Sequence, residues 1–456
     1  MVHPERLPPD VWLEVFDLVK EDWPYVMLRI GGVCKYWRWI VRTTPGLWRV
    51  LELKSRHSSD LARLWKDCSG NRIRCLRIHE EAFASALGWA QELRTLDPTA
   101  LKKLSLHCPS TEHLVWSLNT SLAPLSTRAL PQLEGAWFYL TNQASKKPVN
   151  LSAFWNCIFG HFFSTPQGPL VKELGFLHFS ELHPRWVPLH IPPEFTFAHL
   201  RKLDLARLYP SHIVAFLVRC PKLEALSIAD CLQDDPDPPR HALTLPTVRD
   251  LQIDGIDCDL LGPLLCPNLV HLEMLEDYSP QPPALLRARL DSVRELELPF
   301  CTWPAQTLYD TILRCPNVEF LDLCAYRRDV NDVLRLLSFP VADPAVRDGS
   351  TVPLKKLTRL SLWMTQDVPI EPDVLVDLVD ARLPLGLRGP TRARGEVTPL
   401  ESINLDECAV TTTRPFEWLE EHLREFITDR VEERSPEDEY TEYSGSEASD
   451  VVEYLT

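Results

Sequence analysis

Cysteine and histidine are the residue types in this chain that could act as nucleophiles or metal ligands. The 456 residues include 13 cysteines and 14 histidines. None of the cysteines forms a Cys-x-x-Cys pair, and lone histidines such as His178 and His271 lack a cysteine or acid at recognisable ligand spacing. Glycine motifs for nucleotides, Gly-x-Ser-x-Gly and His-Glu-x-x-His are also absent. We therefore expect no catalytic residue, no metal and no cofactor, and we do not expect an enzyme.

The cysteines follow a regular spacing instead. Cys-Pro pairs come just before apolar segments at Cys220, Cys266 and Cys315, and single cysteines come three residues after such segments at Cys231, Cys301 and Cys408. A buried cysteine packs as a small apolar residue, and the proline ends a helix before the next strand. The odd cysteine number and the lack of a secretory signal predict reduced thiols, in the cytoplasm and/or the nucleus.

Acidic side chains occupy alternating positions in several apolar segments, where a strand would direct them to one face. The series consists of Asp250, Asp254, Glu273, Glu295, Glu297 and Asp322, and it is joined by the aromatic residues Phe320 and Trp363. We hypothesise that this face binds a basic segment of a substrate protein, with an aromatic side chain as anchor. The alternative is that the acids only keep a solvated strand face soluble.

These polar residues lie inside a repeated phrase, apolar-x-x-apolar-x-apolar. Clear copies begin at Leu200, Leu223, Val248, Leu269, Val293, Val318, Leu357 and Leu400, and fainter ones begin at Ile73, Leu101, Leu133 and Val171. The first six clear copies are 21 to 25 residues apart, which is the period of a leucine-rich repeat. The last two follow gaps of 39 and 43 residues, which indicates insertions.

The phrase and its cysteines resemble cysteine-containing leucine-rich repeats over most of residues 70–410. The resemblance implies an α/β solenoid with a parallel sheet inside and helices outside, and with partners bound on the concave face. We expect this solenoid over residues 51–410, with insertions at about 327–352 and 380–397. The second insertion contains Arg382 and is expected to be a mobile basic loop. The faint copies leave open whether residues 107–198 are regular.

The first fifty residues have the pattern of three short helices. Leu7-Pro8-Pro9-Asp10 suits a helix start, and Trp12, Phe16 and Val19 share one stripe of the helix that follows. A further helical candidate follows Gly31-Gly32. So short a segment cannot bury its tryptophans alone, so part of its apolar surface is expected to meet a partner or the rest of the chain.

These residues resemble the F-box within residues 1–50. The matching elements are Leu7-Pro8-Pro9-Asp10, the Val15-Phe16-x-Leu18 helix, Val33-Cys34-x-x-Trp37 and Pro45-x-Leu47-Trp48. The resemblance implies docking onto the Skp-type adaptor of a cullin–RING (SCF) ubiquitin ligase and, through it, onto the cullin. The implied docking residues are Leu7, Pro8, Asp10, Val11, Phe16, Val33, Cys34, Trp37, Leu47 and Trp48. The sequence departs from the F-box pattern at two places. Asp10 replaces the commoner Glu, and Gly31-Gly32 enters a helix that usually lacks paired glycines. Each glycine inside a helix lowers its stability by about 1 kcal/mol relative to Ala. The alternative is an ordinary helical cap on a larger domain.

The C-terminal residues of the chain are strongly acidic. Half of the net charge of −16 lies in residues 432–456, which contain nine acids and one base. We expect a C-terminal helix over residues 411–430 and a disordered acidic tail over residues 431–456.

An acidic chain is poorly suited to binding nucleic acid, and no segment resembles a membrane span. Neither partner is expected.

The two resemblances together imply an F-box protein with C-terminal leucine-rich repeats, of the fungal type. Such a protein is the substrate-recognition subunit of an SCF-type ligase in ubiquitin-dependent protein degradation. A protein-interaction scaffold of the same fold, without a role in ubiquitin transfer, is the first alternative. An unrecognised hydrolase built on the repeats is the second.

Overall fold

The computed structural model forms two compact units. The first contains the residues up to Arg207 together with Val218–Cys220, and the second contains Leu208–Leu217 and Pro221–Tyr440. The structure describes residues 7–19, 25–54, 58–110, 113–114, 132–140, 171–178, 191, 196–232, 235, 241–254, 264–275, 282, 284–287, 289–298, 303–324, 330–338, 341–342, 350–351, 353–363, 370–383, 397–406 and 414–428.

The first unit begins with three helices, as the sequence predicts. They are α1 (Pro9–Val19), α2 (Val26–Val33) and α3 (Lys35–Thr43), and a 3-10 turn follows at Pro45–Trp48. Asp10 lies in the first turn of α1, where a negative charge suits the helix dipole. Two further helices of the unit are α4 (Ser58–Ser69) and α5 (Ala86–Leu93).

The junction after the paired glycines differs from the expectation. Gly31 and Gly32 lie inside α2, which runs through them and ends at Val33. Cys34 has an extended backbone, and its Sγ accepts a hydrogen bond of 3.4 Å from the N–H of Trp37, so it caps α3. Val33 and Cys34 therefore lie between two helices and not within one.

The first unit contains six parallel strands, each paired with the next along the chain. They are β1 (Val50–Leu53), β2 (Cys75–Ile78), β3 (Lys103–Cys108), β4 (Gly135–Leu140), β5 (Glu173–His178) and β6 (Lys202–Ala206). The strands β4 and β5 lie within residues 107–198 and keep the register of their neighbours. The faint copies of the phrase are therefore genuine strands.

The second unit repeats the arrangement with eight parallel strands in chain order. These are β7 (Ala225–Ala229), β9 (Asp250–Asp254), β11 (His271–Leu275), β12 (Glu295–Leu298), β13 (Phe320–Cys324), β16 (Arg359–Trp363), β17 (Ser402–Asp406) and β18 (Glu425–Thr428). Its helices are α6 (Pro210–Leu217), α7 (Ala284–Arg287), α8 (Ala305–Ile312), α9 (Val330–Ser338), α10 (Pro372–Asp380) and α11 (Arg414–His422). Two small strand pairs join β8 (Leu243–Thr244) to β10 (Leu264–Leu265) and β14 (Val341–Ala342) to β15 (Ser350–Thr351).

The apolar residues of the repeated phrase form the cores of both units. In all twelve copies the three apolar side chains are at most 4 % exposed. Burying one such side chain contributes about 1.5–3 kcal/mol, and parallel pairing in constant register brings equivalent residues of neighbouring strands together. One further copy of the phrase, Trp48-x-x-Leu51-x-Leu53, was not predicted and supplies β1.

The cysteines before the strands are packing residues, as their spacing predicts. Cys220, Cys266 and Cys315 are buried and unpaired with another cysteine. Burial raises the pKa of their thiols to about 12, 11 and 12, respectively. These thiols therefore stay protonated and unreactive at neutral pH.

Two predicted segments differ from what the structure has. The segment 327–352 contains α9, which packs between α8 and α10 as a regular connecting helix, so the insertion is shorter than expected. The helix expected over 411–430 is limited to α11, because the strand β18 follows it and pairs with β17. Cys301, Cys408 and the expected tail over 431–456 lie outside the described residues.

Arg382 does not lie in a mobile basic loop, as the sequence predicts, but is part of the core. Its side chain is fully buried, and its guanidinium donates to the carbonyl oxygens of Leu337 (3.4 Å) and Pro353 (2.8 Å). A buried guanidinium with backbone acceptors ties α9 to the segment before β16.

Among the described residues, no helix is both long and apolar enough to cross a membrane.

Replacing Arg382 by Ala is expected to destabilise the second unit by about 3 kcal/mol, since it leaves buried carbonyl oxygens without donors. Urea unfolding measures this free energy. The matched control is Arg289→Ala, because the Arg289 side chain is 72 % exposed. Equal stabilities of the two variants would show that Arg382 is not structural.

Candidate functional site

The N-terminal helices expose an unusual number of apolar side chains. The exposed ones are Leu7, Val11, Val15, Leu18, Val19, Val33 and Trp39, with Leu18 at 78 % and Val33 at 62 %. Four of them follow the i, i+4, i+7, i+8 spacing of one helical stripe on α1. We call these seven residues the apolar stripe. Val15 and Leu18 belong to the F-box resemblance but were not among the predicted docking residues, and Trp39 was not predicted at all. The sequence also placed Val19 on the same stripe as Phe16, which is buried.

The ten predicted adaptor residues fall into two groups. Leu7, Pro8, Asp10, Val11 and Val33 are exposed, and Cys34 and Trp37 are half-buried. Phe16, Leu47 and Trp48 are at most 5 % exposed. The last three cannot present a side chain to a partner, and they act by holding the helices in place.

Aromatic packing fixes the helices that carry the apolar stripe. The ring centroids of Trp12 and Phe16 lie 4.6 Å and 5.4 Å from that of Trp37, which joins α1 to α3. Trp48 packs edge-to-face on Trp65 of α4 at 4.7 Å, and its Nε1 donates to the carbonyl oxygen of Val41 at 2.7 Å. Such aromatic pairs contribute about 0.5–1.5 kcal/mol beyond burial. The stripe therefore rests on an ordered base.

A second candidate surface is the open strand face of the second unit, formed by the side chains that alternate with the buried triplets. In register, one row contains Asp250, His271, Glu295, Phe320 and Arg359. The next row contains Gln252, Glu273, Glu297, Asp322 and Ser361. Parallel pairing thus brings the predicted acids together on β9, β11, β12 and β13, and Asp254 follows on β9. The side chain of Trp363 lies outside the described part of the structure.

Some of these predicted residues already have partners within the chain. Arg359 lies 4.9 Å from the centroid of the Phe320 ring and 3.2 Å from the Glu295 carboxylate. Phe320 and Glu295 are therefore engaged by a cation of the protein itself. The ring is less free to act as an anchor than the sequence suggests.

Two carboxylates of this strand face, those of Glu273 and Glu297, lie close together. His271 Nε2 is 3.2 Å from the Glu297 carboxylate and its Nδ1 is 3.7 Å from that of Asp250. Burial, followed by the nearby Glu297 carboxylate, raises the pKa of Glu273. A positive group placed here would relieve that repulsion. Ligand atoms of His271, Glu273 and Glu297 lie within 4.8 Å of one another, so these side chains could hold a divalent cation, which the sequence analysis did not anticipate.

The open strand face of the first unit carries a third candidate, which sequence reasoning missed. A cavity of about 420 Å³ lies over β2, β3 and β4, and we call it the strand-face cavity. Its lining includes Glu52, Arg77, His79, Lys103, His107 and Trp137. The same alternation that revealed the acidic series predicts these outward positions, but only if the faint copies of the phrase are taken as strands.

Three stacked rings form one wall of the strand-face cavity. His107 stacks on His79 at 4.4 Å and on Tyr139 at 4.0 Å between ring centroids. Burial, reinforced by His79, lowers the pKa of His107 to about 4, so its imidazole is neutral at physiological pH.

Glu52 holds the His79 ring of this wall through a hydrogen bond. It is only 4 % exposed, and its carboxylate lies 2.8 Å from His79 Nε2 and 3.0 Å from Lys54 Nζ. Burial acts to raise the pKa of Glu52, but the hydrogen bonds from His79 and Lys54 outweigh it and hold that pKa below its ordinary value. Glu52 is therefore an ionised, satisfied group.

The neutral His107 makes stability depend on pH. Between its native pKa of about 4 and its unperturbed 6.5, the unfolded chain binds a proton that the native chain does not. Stability must therefore fall as pH drops through this window. We expect the melting temperature of His107→Gln to fall less steeply between pH 7 and pH 4.5 than that of the wild type. His199→Gln is the control, because His199 is exposed; identical slopes for all three proteins would contradict the assignment.

Comparison with known proteins gives only a distant likeness. Neither a family model nor a curated protein matches the chain. Among solved structures, the yeast complex of Rad7 and Elc1 contains a similar chain. It is 16 % identical with a TM-score of 0.31, over 70 % of this chain and 76 % of that chain. At that TM-score nothing about function is carried over.

Proposed function

We propose that the chain is the substrate-recognition subunit of an SCF-type cullin–RING ubiquitin ligase. The N-terminal helices bind a Skp-type adaptor, and the open strand faces bind the protein to be modified. The chain performs no chemistry and acts in the cytoplasm and/or the nucleus. Holding both partners on one chain raises the effective concentration of the substrate near the transferring enzyme.

The apolar stripe is the observation that carries this proposal. Of the ten exposed large apolar side chains among the described residues, seven belong to the stripe. Covering a valine or leucine gains about 1.5–3 kcal/mol, and clustered exposed apolar groups mark interaction sites. Leu7, Val15, Leu18 and Val33 of the stripe also belong to the F-box pattern, and this overlap supports an adaptor as the occupant.

The anchoring of the helices supports the same role. Tyr25 donates its hydroxyl hydrogen to the carbonyl oxygen of Glu52 in β1 at 2.6 Å, and Trp65 Nε1 donates to that of Val50 at 2.6 Å. These bonds, together with Trp48 against Trp65, attach the helical segment to the first strand of the same unit. A docking surface needs such a fixed base so that binding does not cost the ordering of its own elements.

The part of the second unit's strand face that carries Asp250, Glu273, Glu295, Glu297 and Asp322, which we call the acidic surface, supports a substrate with a basic segment. The carboxylates of Glu273 and Glu297 lie close together, and the imidazole of His271 lies 3.2 Å from the Glu297 carboxylate. A lysine or arginine of a bound protein would compensate these charges, and such pairing favours rapid, selective association.

Changing Leu7 and Pro8 together to Ala is expected to abolish co-purification of the Skp-type adaptor, since both side chains are exposed at the start of α1. Affinity purification of the tagged full chain measures adaptor and cullin recovery. The matched control is Val218→Ala, which alters a 58 % exposed valine elsewhere. Undiminished adaptor recovery with Leu7 and Pro8 replaced would refute the docking assignment. Adaptor without cullin would favour the scaffold alternative.

Reversing Glu273 and Glu297 to Lys is expected to stop substrate turnover and leave adaptor binding intact. Proteins whose half-lives lengthen when the chain is deleted should show the same lengthening with this variant, as measured by pulse-chase proteomics. Glu401→Lys changes an exposed acid outside the surface and should behave as wild type. Wild-type half-lives in the reversed variant would rule out the acidic surface as the substrate site.

A further inference from the structure

We propose that the strand-face cavity binds a peptide in which an acidic side chain, carboxylate or phosphate, adjoins an aromatic side chain. At about 420 Å³ the cavity is large enough for such a pair. Arg77 receives the anion and the indole of Trp137 receives the ring. Describing this peptide as part of a substrate rests on the proposed function, whereas the binding itself does not.

Trp137 lies flat on the sheet because two glycines make room for it. A Cβ at Gly135 would lie 2.6 Å from the ring of Trp137, and a Cβ at Gly175 would lie 2.3 Å from it. Gly135 precedes Trp137 on β4, and Gly175 is its register partner on β5. Glycine within a strand costs about 0.5–1 kcal/mol relative to Ala. The chain has only 16 glycines, and two of them lie beneath this one ring.

Polar contacts fix the orientation of the indole. Its N–H donates to the Asp204 carboxylate on β6, the strand beyond Gly175. Lys103 Nζ lies 5.5 Å from the ring centroid, and it also pairs with Glu173 at 3.3 Å. One face of the indole therefore covers the glycines, and the half-buried ring lines the cavity with its remaining surface. A partner ring would pack on the part of the indole that faces the cavity, in competition with the Lys103 ammonium.

Arg77 supplies the charge that selects an anion. Among the described residues, no carboxylate lies within ion-pair distance of its guanidinium, which donates a hydrogen bond to the Cys75 sulfur. The nearest acid in register, Glu52, is already satisfied by His79 and Lys54. A guanidinium offers several donors in a planar fork, which suits carboxylate and phosphate oxygens.

The rest of the lining discriminates against a cationic ligand. Arg77 and Lys103 both face the cavity, so a lysine or arginine of a partner would be repelled. His107, which is neutral at physiological pH, and the Tyr139 ring stacked on it add aromatic surface to the lining. This selectivity is opposite to that of the acidic surface, so the two surfaces are expected to bind different segments.

Binding can be tested with the full-length protein and pools of nonapeptides that have randomised flanks around a fixed central pair. The pairs are Glu-Phe, phosphoserine-Phe, Lys-Phe and Glu-Gly, and retention is measured by affinity capture. We expect at least tenfold higher retention of one or both acidic Phe pools than of the Lys-Phe pool. Retention of both would identify a general anion site, and retention of the phosphoserine pool alone would identify a phosphate site.

The variants Arg77→Ala and Trp137→Ala separate the two halves of the site. Arg77→Ala should lower the ratio of acidic-pool retention to Lys-Phe retention about tenfold. Arg77→Lys should restore part of that ratio. Trp137→Ala should reduce retention of Glu-Phe to the level of Glu-Gly. The matched control is Arg74→Ala, because Arg74 is exposed just before β2 and outside the cavity.

Thermal melting of every variant verifies that it is folded. Equal retention of acidic and basic pools by the wild type would overturn the proposal, and so would a folded Arg77→Ala protein with wild-type selectivity. Adaptor recovery is measured on the same preparations. If the wild-type protein selects acidic peptides but does not recover the adaptor, the result counts against the proposed function alone. The cavity does not include the apolar stripe, so the two readouts are independent.

Discussion

The alternation of buried and outward side chains along parallel strands is the constraint on which both units depend. Each copy of the repeated phrase buries three apolar residues, and constant register carries the alternation from strand to strand. The side chains between the buried ones must then form continuous rows on the open strand face. Residues far apart in sequence, such as Arg359 and Glu295, become neighbours for this reason.

The same constraint explains why two units with one architecture present different surfaces. Core positions accept a narrow range of residues, whereas the outward positions can change without loss of the fold. In the first unit they hold Arg77, Lys103 and aromatic rings, and in the second they hold Glu273, Glu297 and further acids. The N-terminal helices do not share this pattern. They depend on Trp48 packing against Trp65, and they leave the apolar stripe uncovered.

The strands and the core could be predicted from the sequence because their signal is local and repeated. The acidic series was also predictable, since alternation alone assigns it to one face. The pairing of Arg359 with Phe320 and the burial of Arg382 could not be predicted, because each depends on segments that meet only after folding. Trp137 is the clearest case. Gly135 and Gly175 look like weak strand residues until the indole that lies over both is seen.

The proposed docking of a Skp-type adaptor on the N-terminal helices can be measured by hydrogen–deuterium exchange of the full-length chain, with and without a saturating purified adaptor. We expect slower exchange in α1 and around Val33–Cys34, where the apolar stripe would be covered. Exchange in β11 and β12 should be unchanged. Unchanged exchange in α1 at a saturating adaptor concentration would contradict the proposed docking.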